Sequence, residues 1–356
     1  MTITIRYIDD EIKIANRDAQ YIKSRLEIPD EFEIDLQLPP KRLSGLSDLQ
    51  DALLVDMDLS TAEVEGETIA YFGSTLASEM RMHYADRPVI LITQPNKITA
   101  YKQLLEDSID VDLILYKDAV IQDPDNARRK IVALVEGFQS LAKISTKPWA
   151  LVLQLMGADE EEAELLREAA SPLKQGSWTI PQVSRWIRNV VMGFPGILYD
   201  DITAATRLGI DLASFQKPNV QNLFQRAAYD GIFSTYKKCW WRNQLFFEAR
   251  KLILKHELDG PISEKFSEAF KLGFDEQLEP ALCIYDQTPV AEWVCYIYNA
   301  PVKLQNSIPY YPDSRPDVMD QARVSFKAID KSEEFDENLV DADSYDLVVK
   351  PRWGLE

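Results

Sequence analysis

The strongest constraint on this 356-residue chain is a pattern in its first 145 residues. Apolar runs too short to be helices alternate with stretches of helical spacing. Thr2 to Ile8 and Phe32 to Leu38 alternate in polarity and read as strands. Ala52 to Val55 and Pro88 to Ile92 are continuous apolar runs and read as strands buried on both faces, and Val111 to Leu115, apolar but for Asp112, reads as a further strand. Ile12 to Leu26, Thr68 to Tyr84, Ile98 to Leu105 and Asn126 to Ala142 read as the intervening helices. Short buried strands alternating with helices imply a parallel sheet covered on both sides. The expected fold class is therefore α/β, a (βα)5 doubly wound parallel sheet. Ligands of such sheets bind beyond the carboxyl ends of the strands. Those ends carry Asp9, Asp10, Asp56, Thr93 and Lys117, so the pattern brings three carboxylates, a hydroxyl and an ammonium to one edge.

The segments Ile8-Asp9-Asp10-Glu11, Asp51-Ala-Leu-Leu-Val-Asp56, Pro88-Val-Ile-Leu-Ile-Thr93 and Leu115-Tyr116-Lys117 resemble the receiver domain of two-component response regulators. The resemblance covers roughly residues 1–142. It implies a flavodoxin-like fold and a phosphoryl group accepted on Asp56. It further implies Mg²⁺ held by Asp9, Asp10 and Asp56, with Lys117 pairing to a phosphoryl oxygen and Thr93 turning its hydroxyl onto the phosphoryl group. These residue types suit the chemistry, because phosphoryl transfer is governed by positioning and charge neutralisation. Without metal, the clustered carboxylates repel one another, and at least one pKa is expected to rise.

This sequence also departs from the family pattern. Asp118 stands where proline usually follows the lysine, Gln94 stands where a small residue follows the threonine, and Ile114 occupies the aromatic switch position. The segment from Asp56 to Thr93 is several residues longer than is usual, and Asp58 adds a carboxylate at the pocket rim.

Residues 1–144 are expected to form the receiver and 145–356 a mostly helical output module with an α+β end and an acidic tail. All seven tryptophans lie at or beyond Trp149. Helical spacing runs through Asp159 to Ala170, Pro181 to Met192, Asn219 to Tyr229 and Phe233 to Leu258. Leu282 to Tyr285, Val294 to Tyr298 and Val324 to Ile329 fit strands or short helices, and Asp330 to Asp346 reads as a mobile acidic end. Thr203 to Phe215 has the small residues and Leu-Gly-Ile bend of a helix-turn-helix, but its second helix offers only Lys217 as a base. Lys237 to Arg242, continuing to Lys255, interleaves bases with aromatics and reads as an amphipathic helix. This half carries one histidine, His256, and no Gly-rich phosphate loop or metal-ligand spacing.

The formal charge of −19 repels nucleic-acid phosphates and anionic lipid, so neither partner is expected. Cys239, Cys283 and Cys295 show no metal or disulfide spacing. They are expected to be reduced and mostly buried, as in a cytoplasmic protein. No apolar run is long enough to span a membrane, and Met1-Thr-Ile-Thr-Ile-Arg reads as a strand rather than a signal peptide. The sequence thus suggests a phosphorylation-dependent signalling protein, fed by a histidine kinase or phosphotransfer protein and acting through a protein partner or a homodimer. Three alternatives stay open: a DNA-binding regulator using residues 203–215, an unphosphorylated pseudo-receiver, and a receiver-controlled enzyme.

Overall fold

The computed structural model of the protein describes residues 2–10, 18–42, 50–59, 63–64, 66–69, 71–94, 110–144, 149–170, 178–289, 291–312, 315–331 and 337–346. The chain divides into two compact units, one of residues 1–156 with 173–186, the other of 157–172 with 187–356.

In the first unit, β1 (Ile3–Ile8), β2 (Phe32–Gln37), β3 (Ala52–Asp56), β6 (Val89–Thr93) and β7 (Leu113–Tyr116) form one sheet. The small strands β4 (Glu63–Val64) and β5 (Glu67–Thr68) pair with each other in the loop after β3. The sheet is parallel throughout, with the order β2-β1-β3-β6-β7. This is the doubly wound, flavodoxin-like arrangement. Every residue of β3 and β6 is buried, as central strands covered on both faces require. The entry to β3 is fixed by Asp51, whose carboxylate accepts from the Thr4 amide at 2.9 Å.

Helices α1 (Asp18–Leu26), α2 (Gly73–His83), α3 (Lys117–Gln122) and α4 (Pro124–Ala142) accompany the sheet. Helix α4 starts where Asp123 accepts from the Asn126 amide at 3.0 Å and Pro124 occupies the first turn, both ordinary start signals. It buries Ala127, Ile131, Leu134, Phe138 and Leu141, a stripe of three- and four-residue spacing. Truncating a fully buried Phe138 of this kind costs about 3–5 kcal/mol.

The strands lie where the sequence places them, but some helices do not. Helix α2 begins at Gly73 rather than Thr68, because Thr68 pairs with Glu63 in the small hairpin. Helix α3 was not foreseen. The expected helix over Ile98 to Leu105 and the start of the one from Ile12 lie outside the described residues.

The second unit is mixed. The helix Glu160–Ala169 opens on a reciprocal capping box between Asp159 and Glu162. The helical residues Ile180–Arg185 belong to the first unit, and the π-helical turn over Trp186–Val191 that follows them passes into the second. One core joins Leu208, Phe215, Phe224, Trp240, Ile253, Phe266 and Phe270. Strands β8 (Leu198–Asp200) and β9 (Cys239–Trp241) pair with each other, and another core lies against a four-stranded sheet of β10 (Trp293–Cys295), β11 (Ala300–Val302), β12 (Ser307–Pro309) and β13 (Arg323–Ser325). All three cysteines are free and buried. Among the described residues, no helix is long and apolar enough to cross a membrane.

Several local expectations need correction here. Phe233 to Leu258 is not one helix: Phe233 adopts φ +64°, and Cys239–Trp241 is a strand paired with Leu198–Asp200. The helix proper is Arg242–Lys255. Side-chain packing explains the change, because Trp240 and Trp241 are both buried against the strand's surroundings. The helix expected over Asn219 to Tyr229 covers only Pro218–Leu223, followed by a 3-10 turn at Gln225–Ala227. Tyr229 instead donates its amide to Cys239 at 2.9 Å. Leu282 to Tyr285 forms neither strand nor helix. The acidic end is not wholly mobile, since Val340 bridges Tyr310 and is buried in the second core.

The bend at Leu208-Gly209-Ile210 is real. Gly209 has φ +76°, and a Cβ there would lie 1.8 Å from the Ser263 carbonyl oxygen. The helices on either side are Asp201–Arg207 and Leu212–Phe215, the second a single turn with Phe215 packed edge-on to Trp240 at 5.3 Å.

Candidate functional site

Register places the chemistry. Ile8 pairs with Val55, Asp56 with Ile92, and Thr93 with Tyr116. The residues just past or at these positions, Asp9, Asp56, Thr93 and Lys117, therefore stand side by side at one end of the sheet. All four are buried. Asp10 is half-buried beside them. Carboxylate oxygens of Asp9, Asp10 and Asp56 lie within 4.8 Å of one another. The structure thus brings together all five residues singled out in the sequence.

Lys117 links the cluster. As the first residue of α3, it hydrogen-bonds Oδ2 of Asp56 with its Nζ, which also lies 3.5 Å from Oδ2 of Asp9. Asp56 is held from its other side, where Oδ1 accepts from the Asp58 amide at 3.2 Å. The Thr93 hydroxyl makes a long contact of 3.4 Å to the Gln94 carbonyl, so little holds it in its present rotamer.

Burial pushes the Asp56 carboxyl up to about 7. The Lys117 ammonium pulls against this rise, and the Asp9 charge adds to it. The rise expected for a clustered carboxylate therefore falls on the central one of the three.

Two contributors escaped the sequence reading. Tyr7, two residues before Asp9 on the same face of β1, donates to Asp9 Oδ2 at 2.6 Å. Its signal is an aromatic hydroxyl at an alternate position shared with Ile3 and Ile5, the buried face of β1, two residues from an acid. Gly73 is the other. A Cβ there would lie 2.0 Å from the Asp56 carbonyl oxygen, and the Gly73 amide donates to Met57 at 2.9 Å. Helix α2 therefore abuts the backbone of Asp56 only because residue 73 has no side chain. Ile114 packs at the edge of the adjacent core.

The all-oxygen, three-carboxylate donor set fits a hard divalent cation such as Mg²⁺. Its concentrated negative charge gives such an ion a reason to bind, and the nearby ammonium leaves room for an anionic group to be shared between the two cations.

No protein-family model matches this chain, and no curated protein matches it. Solved structures similar to parts of it include a response regulator receiver domain protein from Clostridium thermocellum, at 20% identity over 36% of this chain and 94% of that one, with a TM-score of 0.27. An adenylate cyclase from Rhodopirellula baltica is similar at 16% identity over 42% of this chain and 100% of that one, with a TM-score of 0.31. A structure of two RcsB dimers bound to two parallel DNAs is similar at 19% identity over 54% of this chain and 91% of that one, with a TM-score of 0.28.

Proposed function

We propose that the first unit is a phosphoacceptor module of the response-regulator kind, and that the second unit is the output it controls through a protein partner or a second copy of the chain. The observation that carries this reading is the Lys117 ammonium lying between Asp56 and Asp9, with the Asp10 carboxylate alongside. A buried ammonium among three carboxylates at a sheet's ligand-binding edge is costly as a structural device alone. It makes sense as half of a site that receives a doubly charged group.

In this reading a carboxylate oxygen of ionised Asp56 attacks the phosphorus of a phosphohistidine donor. The new P–O bond forms as the P–N bond breaks, and the departing imidazole keeps the electron pair and takes up a proton. Asp9, Asp10 and Asp56 would hold Mg²⁺, which supplies charge neutralisation at the phosphoryl oxygens when bound. Lys117 leaves Asp56 to pair with one phosphoryl oxygen as a compact positive charge. Thr93, lightly held, turns its hydroxyl toward another and so couples the modification to the end of β6. Asp58 keeps Asp56 oriented through its backbone amide.

Fluoroberyllate, which mimics a phosphoryl group on a carboxylate, tests the site without a kinase. Bound ¹⁹F resonances are expected with Mg²⁺ and fluoroberyllate together, and are expected to vanish in Asp56→Asn. Equal binding by the variant would overturn the assignment.

A further inference from the structure

We propose that the helix Arg242–Lys255 is a contact surface for a second copy of this chain, packed antiparallel on its counterpart across a two-fold axis. Leu245, Glu248, Ala249, Leu252 and Ile253 turn into the second unit and are buried. The opposite side carries Phe247 and Leu254, each 62% exposed. They stand seven residues apart, which is two turns, so they share one face. Lys251 lies between them, a turn from each, and is exposed as well. The helix Ile262–Phe274 ends beside the last turn of this one, since a Cβ on Gly273 would lie 3.2 Å from His256 Nε2 and 3.3 Å from Leu252 Cδ1. That end leaves Leu272 and Phe274 exposed, so the unit gathers large apolar side chains here rather than scattering them singly.

Charge is divided along the helix. Toward its C-terminal end stand Arg250, Lys251 and Lys255, all exposed. Lys251 lies 3.6 Å from Glu248, Arg250 donates to the Gly260 carbonyl at 3.0 Å, and Lys255 makes no ion pair among the described residues. At the N-terminal end, Gln244 donates to Asp159 Oδ2 at 3.3 Å. This contact brings the start of the helix Glu160–Ala169 there, with Asp159, Glu160 and Glu161 exposed. Gln244 shares a side with Lys251 and Lys255, which follow it by whole turns. The surface therefore runs from three carboxylates, past an apolar middle, to three bases. Glu257 and Asp259 come after the helix, in the turn that Arg250 holds.

A surface with this order complements itself. Under a two-fold rotation the acidic end of each copy meets the basic end of the other, and Phe247 and Leu254 meet their counterparts. The antiparallel arrangement also sets the two helix dipoles head to tail. Other occupants fit less well. Trp240 and Trp241, the tryptophans of the basic stretch, are buried and cannot stack on nucleic-acid bases. A uniformly acidic partner or an anionic bilayer would be repelled at the acidic end. The contact stands without the phosphoacceptor reading, because no residue of the first unit takes part in it.

Sedimentation velocity of the full chain, in EDTA and without phosphodonor, tests the contact. A dimer that dissociates on dilution is expected. Glu160→Lys with Glu161→Lys reverses the acidic end, and Lys251→Glu with Lys255→Glu reverses the basic end. Each pair of substitutions should weaken self-association by about tenfold or more, because like charges then face each other. Mixed in equal amounts, the two variants should pair again, since each end of one meets its opposite on the other. Phe247→Ser with Leu254→Ser should be monomeric. Should a charge variant not fold, as read by circular dichroism, the serine variant alone decides. Wild type that is monomeric throughout, any folded variant that self-associates like wild type, or folded charge variants that stay monomeric when mixed, overturns the proposal.

Discussion

The Tyr7 hydroxyl donates a 2.6 Å hydrogen bond to Oδ2 of Asp9, and neither residue is exposed at all. The same oxygen lies 3.5 Å from Lys117. Two donors of different strength therefore fix the plane of the Asp9 carboxylate from beneath the pocket, and the two-residue repeat of β1 is what puts Tyr7 there. Removing only the hydroxyl, in Tyr7→Phe, keeps the ring in the core. The variant is expected to lose about 1–2 kcal/mol of stability and to bind Mg²⁺ about tenfold more weakly, the usual effect of losing a group that orients a ligand. Chemical denaturation and calorimetric metal titration measure the two effects independently. Unchanged Mg²⁺ affinity would remove Tyr7 from the site.

Asp56 makes metal-free stability depend on pH. Its carboxyl rises from 3.8 to about 7 on folding, first because of burial. A raised folded pKa contributes stability that is complete below the unfolded value and is lost as pH climbs through the folded one. In EDTA, the melting temperature of Asp56→Asn relative to wild type should therefore increase between pH 4 and pH 8. A difference that is flat with pH, or that falls, contradicts the raised carboxyl.

Close approach of α2 to Asp56 predicts a strong effect at a residue with no chemistry. Gly73→Ala would place a methyl 2.0 Å from the Asp56 carbonyl oxygen, so backbone must shift. A loss of about 1–3 kcal/mol is expected, with weaker fluoroberyllate binding because the displaced residue is the proposed acceptor. Denaturant melts and ¹⁹F spectra of the same sample check both. Normal stability with normal binding would mean the helix is not held against Asp56.

Glu162 offers a comparison in the second unit. Burial raises its carboxyl to about 8, and its hydrogen bond with Asp159 adds to the rise. By the same sign rule, its contribution is complete below 4.5 and lost as pH rises through about 8. Glu162→Gln keeps the capping geometry and should be neutral near pH 4 and stabilising near pH 8. Thermal melts across that range decide it, and a stabilisation largest at acid pH would contradict the burial argument.

The strands and the site were legible because they depend on local pattern. Continuous apolar runs such as Ala52–Val55 can only be strands buried on both faces at that length, and the polar residue ending each run then marks the sheet's ligand edge. Tyr7 and Gly73 were not legible, since their roles depend on a side chain beneath the pocket and on a helix meeting a backbone from elsewhere. The second unit failed the helical reading at Lys237–Trp241 for a related reason. Its spacing suits a helix, but pairing with Leu198–Asp200 and burial of Trp240 and Trp241 outweigh local preference. The acidic composition of residues 330–346 suggests a mobile end, yet Val340, with Leu339 and Tyr345 packed against the same core, anchors part of that segment beside Tyr310.

Phosphoryl acceptance at Asp56 is the claim on which the rest depends, and intact-protein mass spectrometry tests it directly. The full chain is incubated with acetyl phosphate and Mg²⁺, then weighed beside Asp56→Asn and a sample kept in EDTA. The account predicts a gain of one phosphoryl mass in wild type, and none in either control. No gain in wild type, or an equal gain in Asp56→Asn, would contradict it.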